Sequence, residues 1–177
     1  IGIGQLRSDL LLELKQYKPA IVRGNASEII ALASLWGIEA NACESSRPRG
    51  VDTTDTVEAA RDAAAALARY TGGAVAVSGK KDLVTDGEKV VYSEGGSELM
   101  EKVTGFGCSQ GGVLAVYATA TNPFTAALAA VAHYNVAGSR AAKVADAPAS
   151  FKTAFIDELY RATARDIADN PFSVEEA

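Results

Sequence analysis

Three short segments carry residue types at spacings that could do chemistry. Arg23-Gly-Asn-Ala-Ser-Glu28 sets a guanidinium at the end of an apolar run, then an amide side chain and a carboxylate three residues apart. Such an arginine could clamp phosphate oxygens with two parallel hydrogen bonds, and Glu28 could hold Mg²⁺ directly or through water. The same spacing also describes a plain helix start, with Asn25 as the cap and Glu28 complementing the helix dipole. Ser78-Gly-Lys-Lys-Asp82 places a hydroxyl at the end of a β-branched run, fit to bond a nucleotide or simply to open a loop. Thr104-Gly-Phe-Gly-Cys108 is a glycine-rich turn feeding an apolar stretch. Glycine amides facing a common point and a helix N-terminus together make an anion cradle, and a thiol there would have its thiolate favoured. Cys108 could then take or orient a hydroxyl proton while the cradle holds a phosphoryl group. Against this stands a tight turn with Cys108 as buried filler.

Other chemistry is thin. Two cysteines and one histidine cannot fill a structural zinc site. His133, between Val131-Ala132 and Tyr134, reads as a helix-packing histidine, and Cys43 as a free surface thiol. A formal net charge of −5 gives no long-range attraction for nucleic acid or anionic lipid, so an anionic ligand must be gripped locally. No apolar run approaches membrane-spanning length, and the first residues lack a leader pattern, so a cytoplasmic, reduced setting is expected.

The elements that must position these segments follow from periodicity. At 177 residues and 48% hydrophobic, the chain supports one core, and its alanine content favours packed helices. Leucines at 6, 10, 11, 12 and 14 spell a helix from Leu6 to Tyr17, stopped by Pro19. Ala20–Arg23 reads as a strand, Gly24-Asn25 as a sharp turn, and Ala26–Trp36 as a helix. Residues 39–51 read as a surface loop. Asp55 and Glu58 have capping-box spacing before an alanine-rich helix to about Tyr70, and Thr71-Gly72-Gly73 ends it. Ala74–Ser78 is a central strand; Leu83–Tyr92 is a hairpin about Asp86-Gly87, expected to edge the sheet. A buried helix from Cys108 to Thr119, a break at Asn122-Pro123, a helix from Phe124 to about Val144, an amphipathic one from Ser150 to about Ile167 and a frayed tail from Asn170 complete the reading. Gly111, Gly112 and Gly138 are expected at close helix contacts. The whole is an α/β layered sheet flanked by helices in one domain over 1–177.

Several motifs in order resemble the hydroxyethylthiazole kinase family of the ribokinase-like superfamily. They are Lys18–Glu28, Gly50–Thr53, Ala74–Gly79 with Asp82 and Thr85–Gly87, Lys102–Cys108, Val136–Gly138 and Pro148–Phe151. The resemblance implies a kinase that phosphorylates the hydroxyl of 4-methyl-5-(2-hydroxyethyl)thiazole with ATP and Mg²⁺ in thiamine salvage, working as a homotrimer. It implies Arg23 and Ser78 as ATP contacts, Glu28 near the metal, Gly105 at the substrate and Cys108 where related kinases carry an aspartate base. It also implies that the family's N-terminal portion, with its thiazole-binding residues, lies outside these residues. Phe106 stands where the family usually has a small residue and could narrow the cradle or reposition a substrate ring; Ser109-Gln110-Gly111-Gly112 and Lys80-Lys81 also depart from the pattern. Other readings remain open: another ribokinase-like ATP-dependent enzyme, such as a pyrimidine or pyridoxal kinase or an NAD(P)H-hydrate dehydratase, or a non-catalytic fragment serving as an assembly module. Exposed apolar surface on the Leu6–Tyr17 helix and on the first strand would mark the last.

Overall fold

The computed structural model describes residues 4–38 and 57–176. The loop expected at 39–51, Cys43, the Gly50–Thr53 motif and Asp55 lie outside the described residues.

Alternation along the strands builds the layers. In β2 (Ala74–Ser78), Val75 and Val77 join one apolar cluster while Ala74 and Ala76 join another, because successive side chains leave opposite faces of a strand. The first cluster packs the sheet on α2 (Ala26–Leu35) and α3 (Arg61–Thr71) through Ile29, Leu32, Ala64 and Leu67. The second packs the other face on α4 (Phe106–Ala118) and α5 (Pro123–Ala141) through Leu114, Ala127, Ala130 and Val131. Helices on both faces of one sheet give a three-layer α/β architecture.

The sheet runs β1-β2-β3-β4-β5. Strand β1 (Ile21–Asn25) pairs parallel with β2, and β3 (Asp82–Thr85) and β4 (Lys89–Ser93) follow antiparallel. Where β1 meets β2 the backbones come so close that a Cβ on Gly73 would lie 2.1 Å from the Ala20 carbonyl oxygen, so only glycine fits there. The Asp86-Gly87 hairpin forms as read, with Asp86 Oδ1 accepting from the amides of Glu88 and Lys89.

Four expectations are corrected. The hairpin does not edge the sheet, because the supposedly frayed tail forms β5 (Phe172–Glu176), antiparallel to β4 and tied to α3 by the Arg61–Glu175 ion pair of 3.4 Å. The turn after Arg23 does not bend at Gly24; β1 runs through to Asn25 and α2 begins at once. The last long helix is two, α6 (Pro148–Arg161) and α7 (Ala164–Ala168), since Thr163 and Asp166 make a capping box that starts a new helix. Finally, α4 is buried only along Phe106, Gln110 and Leu114; Gly111 and Gly112 face open space, whereas Gly138 does sit at a close contact, against Gly96 and Met100.

The first helix, α1 (Gln5–Leu14), carries apolar side chains into solvent: Leu6 is 72% exposed, with Leu10, Leu12 and Leu14 also exposed, and so is Tyr17 in the 3-10 turn that follows. Among the described residues no helix is long and apolar enough to cross a membrane.

Candidate functional site

At the carboxyl ends of the parallel strands, the face toward α4 and α5 changes character. Further down that face the sheet presents Ala74, Ala76 and Val84. At this end the same alternation presents Ser78 on β2, Asp82 on β3 and Ser93 on β4, a polar row across three strands, and Arg23, on the same face of β1 but level with Ala76, reaches up to it through its side chain. In open α/β sheets this is where ligands collect, because loop backbone and helix starts converge there.

Arg23 ties this row to α4. Its Nη2 donates to Ser78 Oγ at 2.9 Å and its Nε to Gln110 Oε1 at 3.0 Å. The guanidinium also lies against the first turn of α4: a Cβ on Gly107 would stand 3.0 and 3.2 Å from Nη2 and Nη1, so glycine is what admits the arginine. Strand β1, strand β2 and α4 thus meet at one side chain that carries a full positive charge.

The start of α4 is open. Its N-cap, Gly105, has φ of 86° and no side chain to accept a hydrogen bond, a left-handed conformation that glycine adopts without steric cost. The first intrahelical acceptor, the Gly105 carbonyl, is taken by the Ser109 amide at 2.9 Å, and the Phe106 amide bonds the Val103 carbonyl. The Gly107 and Cys108 amides of that turn have no carbonyl four residues back within the helix, which leaves them to a ligand or water. A Cβ at Gly105 would meet nothing within 4 Å, and the Cys108 thiol is exposed, so the filler reading of Cys108 does not hold.

Phe106 does not narrow this cradle. Its ring is 7% exposed and turns into a cluster with Phe151 and Phe155, centroid to centroid 5.8 and 4.5 Å. One helical position separates its side chain from the cradle face, so the departure from a small residue is absorbed by the core. The same turn is held from beneath by Ser109 Oγ, 3.0 Å from Tyr134 Oη and donating to the Phe106 carbonyl. Burial raises the Tyr134 phenol, opposed by the Ser109 bond and the charge of Arg23.

Glu28 stands apart in role. Asn25 Oδ1 accepts from the Glu28 amide at 2.8 Å, and Glu28 Oε2 accepts from the Asn25 amide at 2.8 Å, a complete capping box. Its side chain is exposed, and Oε1 is the oxygen not engaged in the cap. No cluster of three or more His, Cys, Asp or Glu suited to a metal occurs among the described residues. The donor set therefore fits Mg²⁺ only as an ion held mainly by water and phosphate oxygens, with one carboxylate oxygen beside it, which is how Mg²⁺ commonly binds with nucleotides.

Asp82 and Ser93 of the row belong to a buried network that spacing alone does not reveal. Asp82 accepts from the Gly79 amide at 3.0 Å and from Asn135 Nδ2 at 3.1 Å, and Asn135 and Asn170 both donate to Ser93 Oγ at 3.0 Å. Burial pushes the Asp82 carboxyl up, partly offset by the Gly79 amide, Asn135 and Arg23. Through Gly79, Asp82 pins the turn that follows Ser78. Gln110 was also missed as a site residue, although it falls on the buried α4 stripe with Phe106 and Leu114, where a glutamine needs a partner. His133 packs as expected, bonded to Tyr117 Oη and the Leu159 carbonyl. A separate open cleft of about 370 Å³, lined by Arg140, Lys143 and Asp166 among others, contains none of the expected site residues, and its Arg140 is paired with Asp166 at 2.6 Å.

Comparison with known proteins gives one consistent answer. The model of the hydroxyethylthiazole kinase family matches residues 1–165. The chain is similar to the hydroxyethylthiazole kinase of Bifidobacterium longum (strain DJO10A), at 44% identity over 98% of this chain and 61% of the relative. It is also similar to that of Brachyspira hyodysenteriae, at 41% identity over 95% of this chain and 61% of the relative. The solved structure of a hydroxyethylthiazole kinase protein from Pyrococcus horikoshii OT3 superposes with a TM-score of 0.80 at 28% identity, covering 99% of this chain and 62% of that one. The chain spans about three-fifths of the length of these relatives.

Proposed function

Because this chain belongs to the hydroxyethylthiazole kinase family, we propose that it carries the phosphate-holding part of an enzyme of thiamine salvage. That enzyme transfers the terminal phosphoryl group of ATP to the hydroxyl of 4-methyl-5-(2-hydroxyethyl)thiazole. The observation that carries this reading is the guanidinium of Arg23, held by Ser78 and Gln110 against Gly107 beside the uncapped first turn of α4. A fixed cation beside a helix start whose first-turn amides have no intrahelical acceptor suits a phosphate, and in phosphoryl transfer such positioning and electrostatics supply most of the rate.

In this reading Arg23 and Ser78 bind ATP, the Gly105–Cys108 turn receives the transferring group, and Gly105 lies against the acceptor. The acceptor's oxygen forms a bond to the terminal phosphorus as the bond to the ADP oxygen breaks, and the Cys108 sulfur takes or orients the hydroxyl proton. Mg²⁺, near Glu28, would neutralise phosphate charge. The enzyme works in the cytoplasm as a homotrimer, with residues 1–177 belonging to one ribokinase-like domain. The exposed Leu6, Leu10 and Leu14 of α1 support a second reading, in which this stretch acts by associating with further polypeptide. The mass of the purified 177-residue chain and its turnover of ATP on the thiazole alcohol, on pyridoxal and on a hydroxymethylpyrimidine separate the readings. Phosphorylation of the thiazole alcohol is the result the kinase reading expects. Turnover only of another alcohol would replace the acceptor, and ordered association with no nucleotide binding would favour the second reading.

A further inference from the structure

Gln110 is the one polar side chain on the buried stripe of α4, 5% exposed, between Phe106 and Leu114. Its Oε1 accepts the Nε–H of Arg23, across 87 residues of sequence. A guanidinium can rotate about its side chain, and a phosphate reads it as a planar fork only when that plane is fixed. Ser78 holds Nη2 and Gly107 lies against the Nη edge, but among the described residues Gln110 alone bonds Nε, the nitrogen nearest the stem.

The helix that brings Gln110 is itself immobilised. Phe106, one turn earlier on the same face, is wedged between Phe151 and Phe155, and Ser109 is latched to Tyr134. The acceptor is also neutral. A carboxylate at this place would orient the arginine equally well but would cancel its charge and set a negative charge beside the cradle; an amide oxygen orients it and leaves the charge for the ligand.

We propose that Gln110 is a positioning residue for nucleotide binding: its amide oxygen fixes the plane of the Arg23 guanidinium so that the Nη edge faces the phosphates held at the start of α4. This rests on the nucleotide reading given above. Mg·ATP binding to the intact protein, measured by calorimetry for the wild type, Gln110→Met, Gln110→Glu, Arg23→Ala and the Gln110→Met/Arg23→Ala double variant, with a melting curve for each, tests it. Gln110→Met, which keeps volume and removes the acceptor, is expected to weaken ATP about tenfold. Gln110→Glu is expected to weaken it further, and the double variant to bind like Arg23→Ala alone, because Gln110 acts through Arg23. Wild-type affinity in Gln110→Met or Gln110→Glu, or additive losses in the double variant, would overturn the assignment while leaving the nucleotide reading intact. Should Gln110→Met not fold, Gln110→Glu decides by the same criterion. A wild type that does not bind Mg·ATP would remove the nucleotide reading, and this inference with it.

Discussion

Helices α2 and α4 both begin at the ligand-collecting end of the sheet, yet their first turns are built oppositely. The start of α2 is closed on itself: Asn25 and Glu28 satisfy each other's amides at 2.8 Å. The start of α4 has a glycine cap without a side chain, first-turn amides with no intrahelical acceptor, an exposed thiol and a guanidinium beside it. A capping box stabilises a helix by occupying the donors an anion would use, so the two turns divide the work: α2 fixes the strand end and α4 stays available. The contrast also tells what each carboxylate or thiol can do. Glu28 has one oxygen committed to structure, whereas Cys108 is committed to nothing that holds the fold.

The largest effect should come from the open turn. Cys108→Ala is expected to lower kcat about a hundredfold or more while the melting temperature barely moves, since the thiol is exposed. Equal loss of rate and stability would place Cys108 among structural residues. Arg23→Ala should weaken Mg·ATP about tenfold to a hundredfold, and Arg23→Lys should not restore it, because an ammonium cannot bond Ser78 and Gln110 from one plane. Unchanged affinity in a binding titration would detach Arg23 from the nucleotide. Gly107→Ala comes next: a methyl 3.0 Å from Arg23 Nη2 must push the guanidinium aside, raising the KM for ATP several-fold. Gly111→Ala on the same helix, in open space, should instead stabilise it by about 0.5–1 kcal/mol, read as a higher melting temperature.

How much of this was legible in the chain differs between the two turns. The α2 cap is local, three residues apart, and its spacing announced it. The Gly105 turn and Cys108 were also legible as a cradle, but the orientation of Phe106 was not, because its partners Phe151 and Phe155 lie more than forty residues away. The same limit hid β5: Phe172–Glu176 ends in acidic residues that read as a tail, and only pairing with β4 makes it a strand. The exposed face of α4 misled for a related reason, since apolar composition reports no neighbours. Gln110 acts only through a distant partner, Arg23, and Asp82 joins its local bond to the Gly79 amide to a distant one from Asn135, so spacing near them does not mark the whole of their roles. By contrast the split between α6 and α7 is locally written in the capping-box spacing of Thr163 and Asp166.

Smaller effects probe the closed turns. Asn25→Ala removes the α2 cap and should cost about 1 kcal/mol of stability, seen by denaturant titration, with a much smaller change in kcat than Cys108→Ala produces. In α7 the hydrogen bond from Arg140, together with those from Thr163, holds the Asp166 carboxyl well below the usual range. A depressed carboxyl contributes stability above its unfolded value of 3.8 and loses it as pH falls through the folded value. Asp166→Asn should therefore lower the melting temperature slightly at neutral pH, with the difference fading as the solution is acidified below 3.8. A constant difference across that range would assign the effect to packing.

The most direct test of the open α4 turn as the phosphate site is the rate at which iodoacetamide alkylates Cys108, followed by peptide mass spectrometry with and without saturating Mg·ATP. Alkylation of Cys108 is expected to slow strongly in the presence of nucleotide, and to regain its free rate in Arg23→Ala at the same nucleotide concentration. An unchanged rate in a protein shown to bind Mg·ATP would put the nucleotide elsewhere and contradict the assignment of this turn.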